Sequence, residues 1–315
     1  AASPAPHLPP GAPEPGQESP PEPLTFESTL RLGDELRKAG SPLAAIEEYK
    51  RSLFLLGNQQ TPERAEVYVR LGQVFIELDR ETEALSNFEK ALRIDPLHKV
   101  ALRGAVELFV QNGQFERVDK LQQRRLQALT EPEARRQVFH QRVDLWLDEA
   151  KAPERAEQIL RELLAEQPED GEALRRLVDT LHALGRHEDA VQARTELADL
   201  FLSIPTRRAR LLVEAAHAVR EHLEDTEAAI ELCYQALTAD PSALDALEIA
   251  SEMLVQSQDW ERLADIYEAM LDQWEDDRVA LDLAKKLGFL ARDILIDTER
   301  AARAFELALA LDEND

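Results

Sequence analysis

From residue 26 onward, apolar residues recur at intervals of three and four, as in Ile159, Leu160, Leu163 and Leu164. That spacing puts apolar side chains on one stripe of a 3.6-residue helix. No run of alternating β-branched residues competes with it, so the pattern predicts helices and no strands. Eight prolines occur in this part: Pro42, Pro62, Pro96, Pro132, Pro153, Pro168, Pro205 and Pro241. All fall between the periodic segments. A proline inside a helix costs about 3 kcal/mol, so each marks a joint between helices.

The first 24 residues contrast with the rest. They hold nine prolines, no Lys or Arg, and only Leu8 and Leu24 as large apolar side chains. Such a segment cannot bury enough surface to offset its ordering entropy, and 1–25 is expected to be an extended, disordered linker.

The helical part repeats. Its clearest unit, 65–98, reads Tyr68-x2-Leu71-Gly72-x2-Phe75, then Ala84-x3-Phe88-x2-Ala91, then Pro96. Gly72 removes a side chain where a second helix comes closest; Ala84 and Ala91 let that helix approach. This unit resembles the tetratricopeptide repeat, a pair of antiparallel helices of about 34 residues that stacks on the next pair. The same skeleton returns with units starting near 26, 65, 99, 137, 171, 210, 244 and 282. The expected fold is all-α: a right-handed α-α superhelix of about eight helix-turn-helix repeats over 26–315, continuing beyond the present ends.

The steps between starts alternate between 34 and 38–39 residues, so every second unit recurs at 72 or 73. Gly40, Gly113, Gly185 and Gln258 occupy one class of inner turn. Asp79, Ala152, Asp225 and Asp297 occupy the other. The extra residues follow odd-numbered units, near 57–64, 130–136, 203–209 and 275–281, about one helical turn. The expectation is a longer second helix in each odd unit, or a wider loop after it.

Charge narrows the partners. With 62 Asp+Glu against 37 Lys+Arg, the formal charge is −25, which repels phosphate backbones and excludes nucleic acid as the expected partner. No apolar stretch is long enough to insert in a membrane. The single Cys233 forbids an intrachain disulfide and sits in a packing slot, as a small apolar residue. Trp146, Trp260 and Trp274 are read as interhelical packing. No HExxH or Gly-rich phosphate loop occurs, so neither catalysis nor a cofactor or metal is expected. His182 and His187 lie five apart across a turn with Asp189 nearby, and are read as solvated. His217 and Glu221 form an i,i+4 pair next to His222.

The resemblance implies that first helices line a concave groove that takes peptides or protein segments. Helical phase gives the inward positions. Asp34, Arg37, Lys38, Val69, Gln73 and Ile76 come first. Arg103, Glu107, Gln141, Arg142, Leu145, Arg175, Arg176, Asp179 and His182 follow; Glu214, Glu221, Asp245, Glu248 and Glu252 end the series. The groove would have a basic middle, whose arginines grip carboxylates through paired hydrogen bonds, and an acidic end. The alternative is ordinary solvated charge with internal pairs such as Arg103–Glu107. Val69 and Gln73 stand where some tetratricopeptide modules carry a Lys/Asn carboxylate clamp, which argues against that clamp. The function expected is a non-enzymatic scaffold or adaptor for another protein, in the cytoplasm, with the periplasm as the alternative because one free cysteine is compatible with both. Self-association through ends or outer faces, and docking within a larger enzyme, are the competing readings.

Overall fold

The computed structural model describes residues 24–271, 273 and 277–312, and these contain only helices, turns and bends. The chain divides into two compact units, one ending at Glu131 and the other starting at Pro132. Unit 1 holds α1 (Phe26–Lys38), α2 (Pro42–Leu55), α3 (Pro62–Glu77), α4 (Glu81–Ile94), α5 (Lys99–Gln111) and α6 (Phe115–Ala128). Unit 2 begins with α7 (Pro132–Asp144), α8 (Pro153–Glu166), α9 (Gly171–Ala183), α10 (His187–Asp199) and α11 (Pro205–His222). It continues with α12 (Thr226–Ala239), α13 (Leu244–Ser257), α14 (Trp260–Leu271), α15 (Asp277–Leu290) and α16 (Thr298–Leu311). Within each unit, every helix packs on the one before it.

Local chemistry starts these helices. Thr25 and Ser28 cap α1 reciprocally, and Thr61 accepts from the Arg64 N–H at the start of α3. Asp170, Asp225 and Asp297 do the same for α9, α12 and α16. Pro42, Pro62, Pro153 and Pro205 each take a first-turn position, where a missing N–H loses no bond.

Packing follows the repeat motif. Phe88 of α4 is 1% exposed and lies between two first helices. A Cβ on Gly72 of α3 would stand 2.6 Å from its ring, and one on Gly104 of α5 would stand equally close, at 2.6 Å. Glycine at both positions is therefore a steric requirement of stacking three helices on one ring. In unit 2 a single apolar cluster runs from Leu174 to Ala304. Cys233 lies inside it, and burial pushes its thiol pKa up to about 12. Trp146 is buried and Trp260 packs on the cluster's edge; Trp274 lies outside the described residues.

The two-unit rhythm is present, but the extra turn lies elsewhere than expected. First helices begin at residues 26, 62, 99, 132, 171, 205, 244 and 277. Alternate starts from Phe26 recur at 73, 72 and 73 residues. Second helices are uniform, at 12 to 14 residues. It is the first helix of each even pair that is long. α3 has 16 residues and α11 has 18, while α7 and α15 each run on into a five-residue π-helical turn, Leu145–Glu149 and Ala291–Leu295. Pro62, Pro132 and Pro205 open three of these helices instead of lying in loops before them, so the even pairs start three to five residues ahead of 65, 137, 210 and 282.

Each inner turn needs one left-handed residue. Gly40, Gly113 and Gly185, with φ of 76°, 65° and 70°, supply it in three odd pairs, and Gln258 in the fourth. In even pairs the residue is Asp79, Lys151, Glu224 or Ile296. Asp225 and Asp297 come one position later, as helix caps, so Asp79 is not their counterpart. Among the described residues, no helix is long and apolar enough to cross a membrane.

Candidate functional site

In unit 1 the first helices α1, α3 and α5 line one cleft of about 480 Å³. α1 contributes Asp34, Arg37 and Lys38. α3 contributes Glu66, Val69, Arg70, Gln73 and Glu77, and the start of α5 contributes His98 and Val100. Asp34, Arg37, Lys38, Val69 and Gln73 match the expected inner positions; the other five do not figure among them. Glu66, Arg70, Gln73 and Glu77 step by four, three and four, which is the signal that places them on one stripe of α3.

Polar pairs cross this cleft from helix to helix. Arg37 donates from Nε to Glu77 Oε1 at 2.9 Å and from Nη1 to Gln73 Oε1 at 2.8 Å. Arg70 Nε donates to Asp34 Oδ1 at 2.9 Å, and its other end pairs with Glu66. Glu66 also meets His98 Nε2 at 3.1 Å. Beneath them the Tyr49 hydroxyl donates to Asp34 Oδ1 at 2.7 Å. Burial, then that hydrogen bond, drives the Tyr49 pKa above its ordinary value. The three carboxylates and three cations of the lining cancel, and Val69, buried, forms an apolar floor. Ile76 is exposed but does not line the cleft; neither do Arg103 and Glu107, which stand exposed on α5. Among the described residues no ion pair joins Arg103 to Glu107.

Unit 2 reorders the expected basic middle. Arg142 is 2% exposed: it faces α8, donating from Nη1 to Glu162 Oε2 at 2.9 Å, with its guanidinium over the Phe139 ring. Val138, Phe139, Arg142 and Val143 form the buried stripe of α7, so Arg142 belongs to helix packing and not to an inner face. Leu145, also expected inward, is buried in the π turn. Arg176 reaches back from α9 to Asp144 and to His140 Nδ1 at 3.3 Å, so it too is occupied. Gln141, Arg175 and Asp179 are exposed. His182 is exposed as well, but is grouped with His187 and with His222 of α11. Burial and repulsion from the His222 and His182 rings lower the His187 pKa.

The strongest α7–α9 link is one the helical phase does not reveal. Arg136 donates from Nε to Asp170 Oδ2 at 2.6 Å and from Nη2 to Glu172 Oε2 at 3.0 Å. Asp170 also accepts from the Glu172 and Ala173 N–H groups at 3.0 Å. Burial opposes ionisation of Asp170, but Arg136 and these N–H groups outweigh it and hold the carboxyl below its usual pKa.

At the acidic end, α13 and α15 enclose about 420 Å³. Glu248 and Glu252 line one side, Asp282 and Lys286 the other, over Leu247 and Leu283. Glu252 accepts from Arg220 Nη1 at 3.3 Å, and Lys286 meets Asp282 at 2.7 Å. Asp245, Glu214 and Glu221 are exposed but lie outside this cleft.

Sequence models of the tetratricopeptide repeat match residues 149–212 and 65–96. The human protein O-mannosyl-transferase TMTC3 is 31% identical over 106 residues, covering 33% of this chain and 11% of that protein. The chain thus spans about a tenth of that relative's length. Solved structures with some likeness include Naa15/Naa10 bound to HypK-THB, at 15% identity, 91% of this chain, 44% of that chain and a TM-score of 0.44. Another is YrrB, described as a TPR protein with an unusual peptide-binding site, at 18% identity, 64% and 96% coverage and a TM-score of 0.33. A third is pilF of Pseudomonas aeruginosa, at 19% identity, 72% and 97% coverage and a TM-score of 0.30. With its repeat motif matched in both units and helix pairs stacked through each, the chain is a tetratricopeptide-repeat protein.

Proposed function

We propose that this chain is a non-enzymatic adaptor that holds an extended protein segment in the cleft of α1, α3 and α5. Tetratricopeptide repeats serve in general as protein-interaction scaffolds, so the finer question is where a partner sits. The observation that carries the proposal is the cleft of about 480 Å³, shared by three successive first helices. It combines an apolar floor at Val69 with half-exposed ion pairs that can exchange partners with a peptide's own charges. Exposed pairs of this kind contribute only about 0–1 kcal/mol each, so re-pairing with a ligand costs little.

Peptides selected from a display library by the full chain test this. Their affinity for a double variant, Lys38→Glu with Gln73→Arg, should fall at least about tenfold, the loss of one or two interface contacts. Unchanged affinity would remove the cleft from the account.

A second reading, self-association, is favoured by apolar surface near the end of α15 and its π turn. Phe289, Ile294 and Ile296 are 50%, 47% and 73% exposed. Sedimentation across a wide concentration range checks it: a strict monomer throughout would set it aside.

A further inference from the structure

We propose that His182, His187 and His222 form a binding site for a divalent d-block cation, with Zn²⁺ as the fitting probe. His182 lies in the last turn of α9, His187 opens α10, and His222 ends α11. Each offers a ring nitrogen, and the three nitrogens lie within 4.8 Å of one another. The His187 and His222 rings stack with centroids 4.0 Å apart, and His182 sits 5.2 and 5.3 Å from them.

The other described histidines behave differently. His98 meets Glu66, His140 meets Arg176, and His217 meets Arg220. Among the described residues, no carboxylate, amide or hydroxyl hydrogen-bonds to the rings of His182, His187 or His222. Nδ1 of His187 is buried and has no partner at all. Asp189, close in sequence, is engaged by Arg186 at 2.8 Å and is not part of the group. Three imidazoles therefore converge with their lone pairs unspent, and a buried acceptor left unsatisfied is costly unless something fills it.

A d-block cation fits these three donors in chemistry. Imidazole nitrogen suits Zn²⁺, Ni²⁺ and Cu²⁺, whereas Mg²⁺ and Ca²⁺ need oxygen ligands. Zn–N bonds of about 2.0–2.1 Å place tetrahedral ligand nitrogens about 3.4 Å apart, a contraction that rotation of two exposed side chains can supply. Two of the ligands stand at helix C-termini, where the carbonyl ends carry partial negative charge and favour a cation. The fourth position is left to water or a partner's side chain. Bound metal would tie the α9–α10 turn to the end of α11 and so brace two successive helix pairs.

Isothermal titration of the tag-free full chain with ZnCl₂ tests the site. The expected result is saturable binding of one Zn²⁺ per chain, weakened at least about tenfold by each of His182→Ala, His187→Ala and His222→Ala. His217→Ala should bind as the parent does, and Mg²⁺ should not compete. Amide exchange at 183–187 and 223–225 should slow when Zn²⁺ is bound. If His187→Ala misfolds by circular dichroism, the two exposed positions decide. No one-to-one binding, or binding that survives both His182→Ala and His222→Ala, would overturn the proposal.

Discussion

One polar link between first helices of unit 2 differs in kind from those lining the cleft of unit 1. In unit 1 they are half-open: the Arg37 and Glu77 side chains are 27% and 45% exposed, and Arg70 and Asp34 are 23% and 33%. In unit 2 the link from α7 to the cap of α9 is closed on one side: the Asp170 side chain is only 2% exposed, with Arg136 at 28%, whereas Arg176 and Asp144, at 18% and 54%, stay half-open. A pair in water is worth little and is easily traded; a buried pair is expensive to break because the survivor stays desolvated. The same residue types thus form easily traded pairs in one unit and a helix-fixing link in the other. Exposure, more than charge, separates the two roles.

The sharpest way to break this comparison is to remove one carboxylate from each unit. Asp170→Ala should lower unfolding stability by about 2–3 kcal/mol, below the full cost for buried pairs because Arg136 keeps 28% exposure. Part of that loss is the α9 cap. Glu77→Ala in unit 1 should cost under about 1 kcal/mol by the same denaturant titration. Equal losses would erase the distinction.

The stacking glycines come next in size. Gly104→Ala should cost about 1–3 kcal/mol by crowding Phe88, whereas Ala at exposed Ser86 of α4 should be near neutral. Thermal midpoints of the two variants measure the gap.

The pH response is smaller and has a definite sign. Asp170 is held below its ordinary pKa, so its contribution is fully present above the unfolded value of about 3.9 and fades as pH falls through the lower folded value. Acid unfolding of the parent should therefore be steeper below about pH 4 than that of Asp170→Asn, which has no such proton to take up. Matching acid curves would mean that the Arg136–Asp170 link contributes nothing to the folded state.

Much of this was legible in the sequence. The motif Leu71-Gly72-x2-Phe75 with Phe88 forecast the glycine–ring contact, and the 72–73 residue recurrence of Gly40, Gly113 and Gly185 located the odd turns. Asp34, Arg37, Lys38, Val69 and Gln73 share one cleft, as helical phase predicts, because α1 and α3 are regular. Helical phase misleads where helices depart from regularity. α7 starts five residues before the expected boundary and ends in a π turn, so phase counted from 137 sent Arg142 inward, although Val138, Phe139 and Val143 already marked it as part of an apolar stripe. His222 is invisible from His182 and His187 because it lies 35 positions after His187, at the far end of two helices, α10 and α11. The Arg136–Asp170 link has the same cause: 34 residues apart, its partners meet only once successive helix pairs stack.

A photo-crosslinking amino acid placed at position 73 of the full chain, with a second probe at position 86 on α4 as the outer-face control, bears most directly on the central claim. A display-selected peptide should crosslink at 73 and not at 86, and excess unlabelled peptide should abolish the product. Crosslinking at 86 alone would contradict the assignment of the α1–α3–α5 cleft as the seat of the partner.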